Sequence, residues 1–135
     1  MLLQPKKRKY KKAQKGRLKE FNYKPCLIAL GSIALQSTES GYVSARQIES
    51  ARQSINRKIK RKGKIWIKMY PNYPITKKPT EVRMGKGKGS VAHWSAKVKS
   101  GSILFELAGI SAKKAVIALT TGGAKLPIKT KILEF

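Results

Sequence analysis

Ser44-Ala45-Arg46-Gln47-Ile48-Glu49-Ser50-Ala51-Arg52-Gln53-Ser54-Ile55-Asn56-Arg57-Lys58-Ile59-Lys60-Arg61-Lys62-Gly63 carries the clearest local signature in the chain. Ile48, Ala51, Ile55 and Ile59 recur at spacings of three and four, which sets them on one face of an α-helix. Ser44 with Gln47 three residues on has the form of a capping box. A helix is therefore predicted over 44–62, with Gly63 as its C-cap. The other faces carry Arg46, Arg52, Arg57, Lys58, Lys60, Arg61 and Lys62, with only Glu49 to offset them. The cations crowd toward the C-terminal end, where the helix dipole favours them. So unbalanced a face reads as an anion contact rather than a solvated surface.

Short strand signals lie on both sides. In Lys64 to Tyr70, Ile65, Ile67 and Met69 share one face, and Trp66, Lys68 and Tyr70 the other. Pro71, Pro74 and Pro79 then predict a rigid, extended loop. Val91 to Val98 alternates, with Ala92, Trp94, Ala96 and Val98 inward, and Lys99-Ser100-Gly101-Ser102 reads as a hairpin turn into a strand at Ile103 to Leu107. A second helix is predicted after N-cap Ser111, burying Ala112, Ala115, Val116 and Leu119 and ending at Gly122-Gly123. Ile128 to Phe135 reads as a last strand. Upstream, Ser37 to Gly41 reads as a loop, and the apolar run Cys26 to Gln36, broken by Gly31-Ser32, as two short strands or one bulged strand. The order predicts an α+β fold: a two-layer sandwich of mostly antiparallel strands with two helices, plus a basic N-terminal arm. The arm spans 1–24 and the single domain 25–135.

The chain has 135 residues, with 31 Lys plus Arg against 6 Glu and no Asp, for a net charge of +25. Apolar residues make up 41%, enough for one modest core. Such a charge calls for a polyanionic partner. No apolar run approaches the roughly 20 residues of a membrane span, and the charge is spread along the whole chain, so nucleic acid is favoured over a membrane. Cys26 is the one cysteine, which excludes an internal disulfide and reads as a small buried hydrophobe. The order of Met1-Leu2-Leu3-Gln4-Pro5 before Lys6-Lys7-Arg8-Lys9 is the reverse of a signal peptide, so no cleaved targeting segment is expected.

Residues 1–24 hold ten Lys or Arg and few apolar residues, too few to fold alone. Tyr10, Phe21 and Tyr23 punctuate the charges and are suited to stacking on bases, which favours an arm ordered by RNA over a solvated tail. The candidate RNA-binding cations are Lys6, Lys7, Arg8, Lys9, Lys11, Lys12, Lys15 and Arg17 of the arm. Arg46, Arg52, Arg57, Lys60, Arg61 and Lys64 in and after the first helix join them.

Arg83-Met84-Gly85-Lys86-Gly87-Lys88-Gly89 is the most unusual stretch. Alternating Gly and Lys gives little bulk with a cation at every second position, suited to close approach to a phosphate backbone. It has neither the spacing of a P-loop nor, with Ser90 in place of the third glycine, that of a dinucleotide-binding turn. Catalysis finds no constellation. His93 is the one histidine, without a second to form an acid/base pair, and reads as a strand residue facing solvent or RNA. Glu20, Glu39, Glu49, Glu81, Glu106 and Glu134 are scattered, which argues against a two-metal nuclease and against any resident metal or cofactor. The rival non-enzymatic reading is an architectural, DNA-compacting protein. It accounts for the charge but has no use for a Gly-Lys loop in mid-chain.

Several segments together resemble the bacterial-type ribosomal protein L-sixteen family: Leu3-Gln4-Pro5-Lys6 with Lys15-Gly16-Arg17, Ser44 to Arg52, Gly63-Lys64-Ile65-Trp66-Ile67, Pro74-Ile75-Thr76-Lys77-Lys78-Pro79, Arg83 to Gly89, and Ala124-Lys125-Leu126-Pro127-Ile128-Lys129-Thr130. The set covers nearly the whole chain in order. The resemblance implies an α+β domain bound to large-subunit ribosomal RNA below the central protuberance, lining the aminoacyl-tRNA (A) site and aiding late assembly. Its implied partners are large-subunit rRNA, A-site tRNA and neighbouring ribosomal proteins, with no small-molecule substrate. The loop from Arg83 to Gly89 is implied to reach toward tRNA and the peptidyl-transferase region. Residues 18–43 match the family pattern poorly, Thr120-Thr121-Gly122-Gly123 replaces a usually Ala-rich helix end, and the C-terminal tail is short. Lys outnumbers Arg 24 to 7 and Ala34-Leu35-Gln36 is similar to plastid members, so a plastid (chloroplast) ribosome is expected, with mitochondrial or bacterial origin as alternatives.

Overall fold

The computed structural model describes residues 4–18, 21–22 and 27–134. The expectations for Cys26, Tyr23 and Phe135 lie outside the described residues. The domain is α+β, as expected, with every strand pairing antiparallel. In chain order the elements are β1 (Ile33–Ser37), β2 (Gly41–Ser44), α1 (Ala45–Lys58), β3 (Lys64–Ile67), β4 (Tyr73–Lys77), β5 (Ser90–Val98), β6 (Ile103–Ala108), α2 (Ala112–Gly123) and β7 (Thr130–Glu134). They form a four-stranded sheet in the order β3-β6-β1-β7 and a three-stranded sheet in the order β2-β5-β4.

The core lies where α1 and α2 pack on each other and on the sheets. Ile48, Ala51, Ile55 and Ile59 of α1 share one buried cluster with Ala115, Ala118 and Leu119 of α2 and with Leu35, Leu104, Phe105 and Leu107 of the larger sheet; α2 packs on β1 and β7, and α1 on β2, β5 and β3. The α1 start is the expected capping box: the Ser44 hydroxyl accepts from the Gln47 N–H, and the Gln47 side chain accepts from the Ser44 N–H at 2.8 Å. Its end differs from expectation. The helix stops at Lys58, and Lys60 and Arg61 turn left-handed (φ 52° and 60°). Arg61 N–H donates to the Asn56 carbonyl and Lys60 N–H to that of Arg57, which is the Schellman closure. Lys60 thus takes the position assigned to Gly63. Gly63 instead approaches the Ala108 carbonyl so closely that a Cβ would sit 2.6 Å from it.

Several other expectations change. The proline loop contains the strand β4, whose Pro74 pairs opposite Trp94. β4 is an edge strand, so the missing N–H of Pro74 is tolerated there. β2, read as loop and connection, pairs Gly41 to Ser44 with the inner half of β5. Lys99 to Ser102 is not a hairpin: β5 and β6 belong to different sheets, and the chain changes sheet at Gly101 (φ 85°). In β5 only Ala96 and Val98 of the expected inward set are buried, because residues 90–94 run past the core and pair with β4 alone. In α2, Ala112 is exposed and Val116 half-buried, while the helix ends at Gly122-Gly123 as expected, with both glycines buried. A Cβ on Gly122 would lie 2.4 Å from Ile55 Cγ1, so the absent side chain is what lets the two helices touch. The apolar run before β2 resolves as one strand, β1, with an irregularity between Leu35 and Gln36 where it faces β6.

Candidate nucleic-acid interface

The described part of the arm does not stand away from the domain. It lies against the β2-β5-β4 sheet and the base of the Gly-Lys loop. Arg8 donates to the Asn72 carbonyl at 2.5 Å, and its guanidinium lies 5.7 Å from the Trp94 ring centroid. This explains why Trp94 is only half-buried: its partner is the arm, not the core. Three successive arm carbonyls are then taken in turn. Ala13 accepts from Lys88 Nζ, Gln14 from the Tyr73 hydroxyl, and Lys15 from the Tyr42 hydroxyl at 2.7 Å. Tyr42 on β2 and Tyr73 on β4 stand side by side across β5, with ring centroids 5.4 Å apart. Burial and the neighbouring Tyr42 raise the Tyr73 phenol above its usual pKa, which keeps it a donor. Lys12 Nζ returns a bond to the Lys88 carbonyl at 2.7 Å.

Carbonyl acceptors leave the arm's other cationic side chains outward, and even Arg8 and Lys12 are not buried by their contacts. Lys6, Lys7, Arg8, Lys9, Lys11, Lys12, Lys15 and Arg17 are all exposed. So are Tyr10, with Lys9 Nζ 5.5 Å from its ring centroid, and Phe21. On the helical side Arg46, Arg57, Lys60, Arg61 and Lys64 are exposed, and Lys64 Nζ lies 5.1 Å from the Trp66 ring centroid. Arg52 differs. Its guanidinium is held by both oxygens of Glu49, at 3.0 and 2.6 Å, which holds the Glu49 carboxyl down at about 2. That fork is engaged before any RNA arrives.

Arg83 to Gly89 lies in the connection that joins the antiparallel neighbours β4 and β5 of the smaller sheet. Gly85, Lys86 and Gly87 all have positive φ (97°, 54° and 83°), a run that glycine permits cheaply. Arg83, Met84, Lys86 and Lys88 are exposed, and Met84 is 99% exposed, a bare apolar side chain at the turn. Lys78 Nζ donates to the Gly85 carbonyl at 2.5 Å, and Gly89 packs so closely on Lys77 that a Cβ would lie 2.7 Å from its carbonyl oxygen. Gly85 and Gly87 have nothing within 4 Å of a Cβ position, so their role within the chain is conformational. Arg83 and Lys86 have no side-chain partner among the described residues; Lys88 is tied to the arm.

One group was illegible in the sequence. Glu106, scattered among the acids, is fully buried on β6. Its Oε2 accepts from the N–H of Leu30 at 2.8 Å and of Gly31 at 3.1 Å. Oε1, without a hydrogen bond of its own, faces Lys68 Nζ at 3.3 Å. Burial pushes this carboxyl up, but the Leu30 N–H, Lys68 and the Gly31 and Ala29 N–H groups outweigh it and hold the pKa below the ordinary value. Glu106 therefore fixes the segment that leads from the arm into β1. Among the described residues no three His, Cys, Asp or Glu side chains converge on a possible metal position, no helix is long and apolar enough to cross a membrane, and His93 is exposed on β5.

The chain has relatives in sequence. Residues 5–133 match the family model described as ribosomal protein L16p/L10e. The protein called large ribosomal subunit protein uL16 in Psychrobacter cryohalolentis is 53% identical over 133 residues, covering 98% of this chain and 97% of its own length. Its counterparts in Erythrobacter litoralis and Orientia tsutsugamushi, under the same name, are 51% and 50% identical, each over 98% of this chain and over 92% and 98% of their own lengths. At that coverage the chain belongs to the ribosomal protein L16p/L10e family.

Proposed function

We propose that this chain is a structural protein of the large ribosomal subunit that binds large-subunit rRNA and helps form the A site for aminoacyl-tRNA. The observation that carries the second half is the loop. It is an exposed connection between β4 and β5, without a side chain at alternate positions, and carries the unpartnered cations Arg83 and Lys86. The rRNA anchor is the outward side of the arm, Lys6 to Arg17, with Arg46, Arg57, Lys60, Arg61 and Lys64 beside α1. These cations bear no described counter-charge, and phosphate is the anion RNA offers at that density. The arm, 1–24, and the domain, 25–135, divide the work between anchoring and presentation, and neighbouring ribosomal proteins cover part of the remaining surface. The role is structural, not enzymatic. The named relatives are bacterial, so a bacterial-type ribosome fits them, and the plastid expectation rests on the Lys-rich composition and the Ala34-Leu35-Gln36 stretch.

The test is tRNA binding to purified ribosomes that carry variants at full occupancy. Lys86→Ala should weaken A-site tRNA binding by about 1–3 kcal/mol, the range for a lost charge-assisted contact. Arg83→Lys should also weaken it, because an ammonium does not reproduce a planar fork. Gly87→Val should do similar harm through its φ of 83°. Wild-type tRNA binding in all three would remove the loop from the A site. Loss of the protein from ribosomes would make the loop an rRNA anchor instead.

A further inference from the structure

We infer that the N-terminal arm is a strap that sets the conformation of the Gly-Lys loop, and that Tyr42, Tyr73 and Lys12 are positioning residues for that loop. The inference rests on the reading of the loop above for its consequence, but not for its geometry. Seven residues with positive-φ turns and no buried side chain cannot hold one shape by packing. Something outside the loop must do so. The structure supplies two ties. One is internal, from Lys78 Nζ to the Gly85 carbonyl. The other joins the loop to the arm: Lys12 Nζ donates to the Lys88 carbonyl, while Lys88 Nζ donates to that of Ala13. This reciprocal pair closes a ring between two segments 76 residues apart in sequence.

The ring holds only if the arm is itself registered on the domain. Tyr73 and Tyr42 do this on the next two carbonyls, Gln14 and Lys15. Both hydroxyls lie on strands, β4 and β2, that flank β5, so a rigid sheet fixes the arm at the residues adjoining the ring. Lys88, Tyr73 and Tyr42 hold three consecutive carbonyls of the arm. A slip of one residue would carry the Lys12 side chain away from Lys88 and that of Arg8 away from Asn72 and Trp94, so these two side chains fix which carbonyl meets which donor. Apart from Arg8 and Lys12, whose side chains hold the domain, the arm's cations stay free for RNA, because its backbone makes the other contacts. An RNA that captures Lys11, Lys15 and Arg17 would therefore also tighten the loop, without touching it.

The experiment is hydrogen exchange on the purified full-length chain, without RNA, at a salt concentration that keeps so basic a protein in solution. Tyr73→Phe and Lys12→Met each remove one donor and alter no residue of the loop. Exchange of the amides from 84 to 89 should accelerate about 2- to 12-fold in each, the fold-change that corresponds to one hydrogen bond. Lys7→Met removes the same charge as Lys12→Met from a side chain with no described contact, and should leave the loop as in wild type. Loop exchange equal to wild type in both test variants would overturn the proposal. So would acceleration spread equally over β1 and β6, since Tyr73 would then be supporting the core. With no tRNA or ribosome in the assay, failure here leaves the A-site reading standing, and failure of tRNA binding leaves the strap standing.

Discussion

Replacing Glu106 with Gln removes one negative charge from the interior while nearly preserving its volume. In wild type, Oε2 accepts two backbone N–H bonds, at 2.8 and 3.1 Å, and Oε1 faces Lys68 at 3.3 Å. A bond to a charged acceptor contributes about 1 kcal/mol more than its neutral counterpart, so two give about 2 kcal/mol. The Lys68 side chain is one-third exposed, at 33%, so its pairing adds no more than about 0.5 kcal/mol. Glu106→Gln should therefore cost about 2 kcal/mol in urea unfolding, as a lower midpoint at unchanged slope. Glu106→Leu leaves both N–H groups without an acceptor and should cost about 3 kcal/mol or more. The pH dependence follows from the direction of the shift. The folded carboxyl sits below its ordinary 4.5, so its stabilisation is complete above about pH 4.5 and is lost as pH falls through the folded value. The gap between wild type and Glu106→Gln should thus be constant from pH 7 to about 5 and narrow below that. A Gln variant within about 0.5 kcal/mol of wild type at pH 7, or a gap that widens in acid, would refute the account of this carboxylate.

Binding to an isolated rRNA fragment should weaken steeply with salt: if about six to ten phosphates are neutralised, log K falls against log salt with a slope of roughly −4 to −9, and a slope near zero in a titration with a structured RNA competitor would rule out phosphate-dominated binding. Gly122→Ala sets two effects against each other. Helix propensity favours Ala by about 1 kcal/mol, but a Cβ 2.4 Å from Ile55 Cγ1 in a fully buried contact costs about 1–3 kcal/mol. Net destabilisation of about 1 kcal/mol is expected in the same urea assay, and a stabilised variant would show that the helices can separate without loss.

What the sequence disclosed depended on whether side-chain identity carried the signal. The capping box and the stripe Ile48, Ala51, Ile55, Ile59 are written in residue types at fixed spacing, and α1 begins at the expected place with that stripe buried. Its last turn misled because closure by Lys60 in a left-handed conformation is set by tertiary packing of Ile59, not by a glycine. β4 was hidden by Pro74 within it and Pro71 and Pro79 on either side, since prolines mark loops unless the strand lies at an edge, and edge position is a property of the whole sheet. Gly122-Gly123 has the composition of a helix stop, and only the proximity of Ile55 and Thr130 makes it a packing surface. The candidate cations were legible as a set. Their division was not: Arg52 engaged by Glu49 and Lys88 by the arm look, in sequence, the same as the unpartnered Arg83 and Lys86.

The arm shows why that division arises in so basic a chain. With 31 cations and 6 carboxylates, ion pairs cannot attach a segment carrying ten positive charges, because the carboxylates are too few and several are used elsewhere. Glu49 holds Arg52, Glu106 holds Lys68, and Glu39 holds Lys129. The remaining means of attachment is the backbone carbonyl, an acceptor that every residue carries and that does not depend on charge balance. Carbonyls of residues 13, 14 and 15 accept from an ammonium and two phenols, and Trp94 meets Arg8 through its ring face. Aromatic donors on the sheet thus do for the arm what acids do in an ordinary protein, without neutralising the charge that RNA is to meet. An arm fixed in this way keeps its full electrostatic attraction for RNA while having its register set in advance, which lowers the ordering cost on binding.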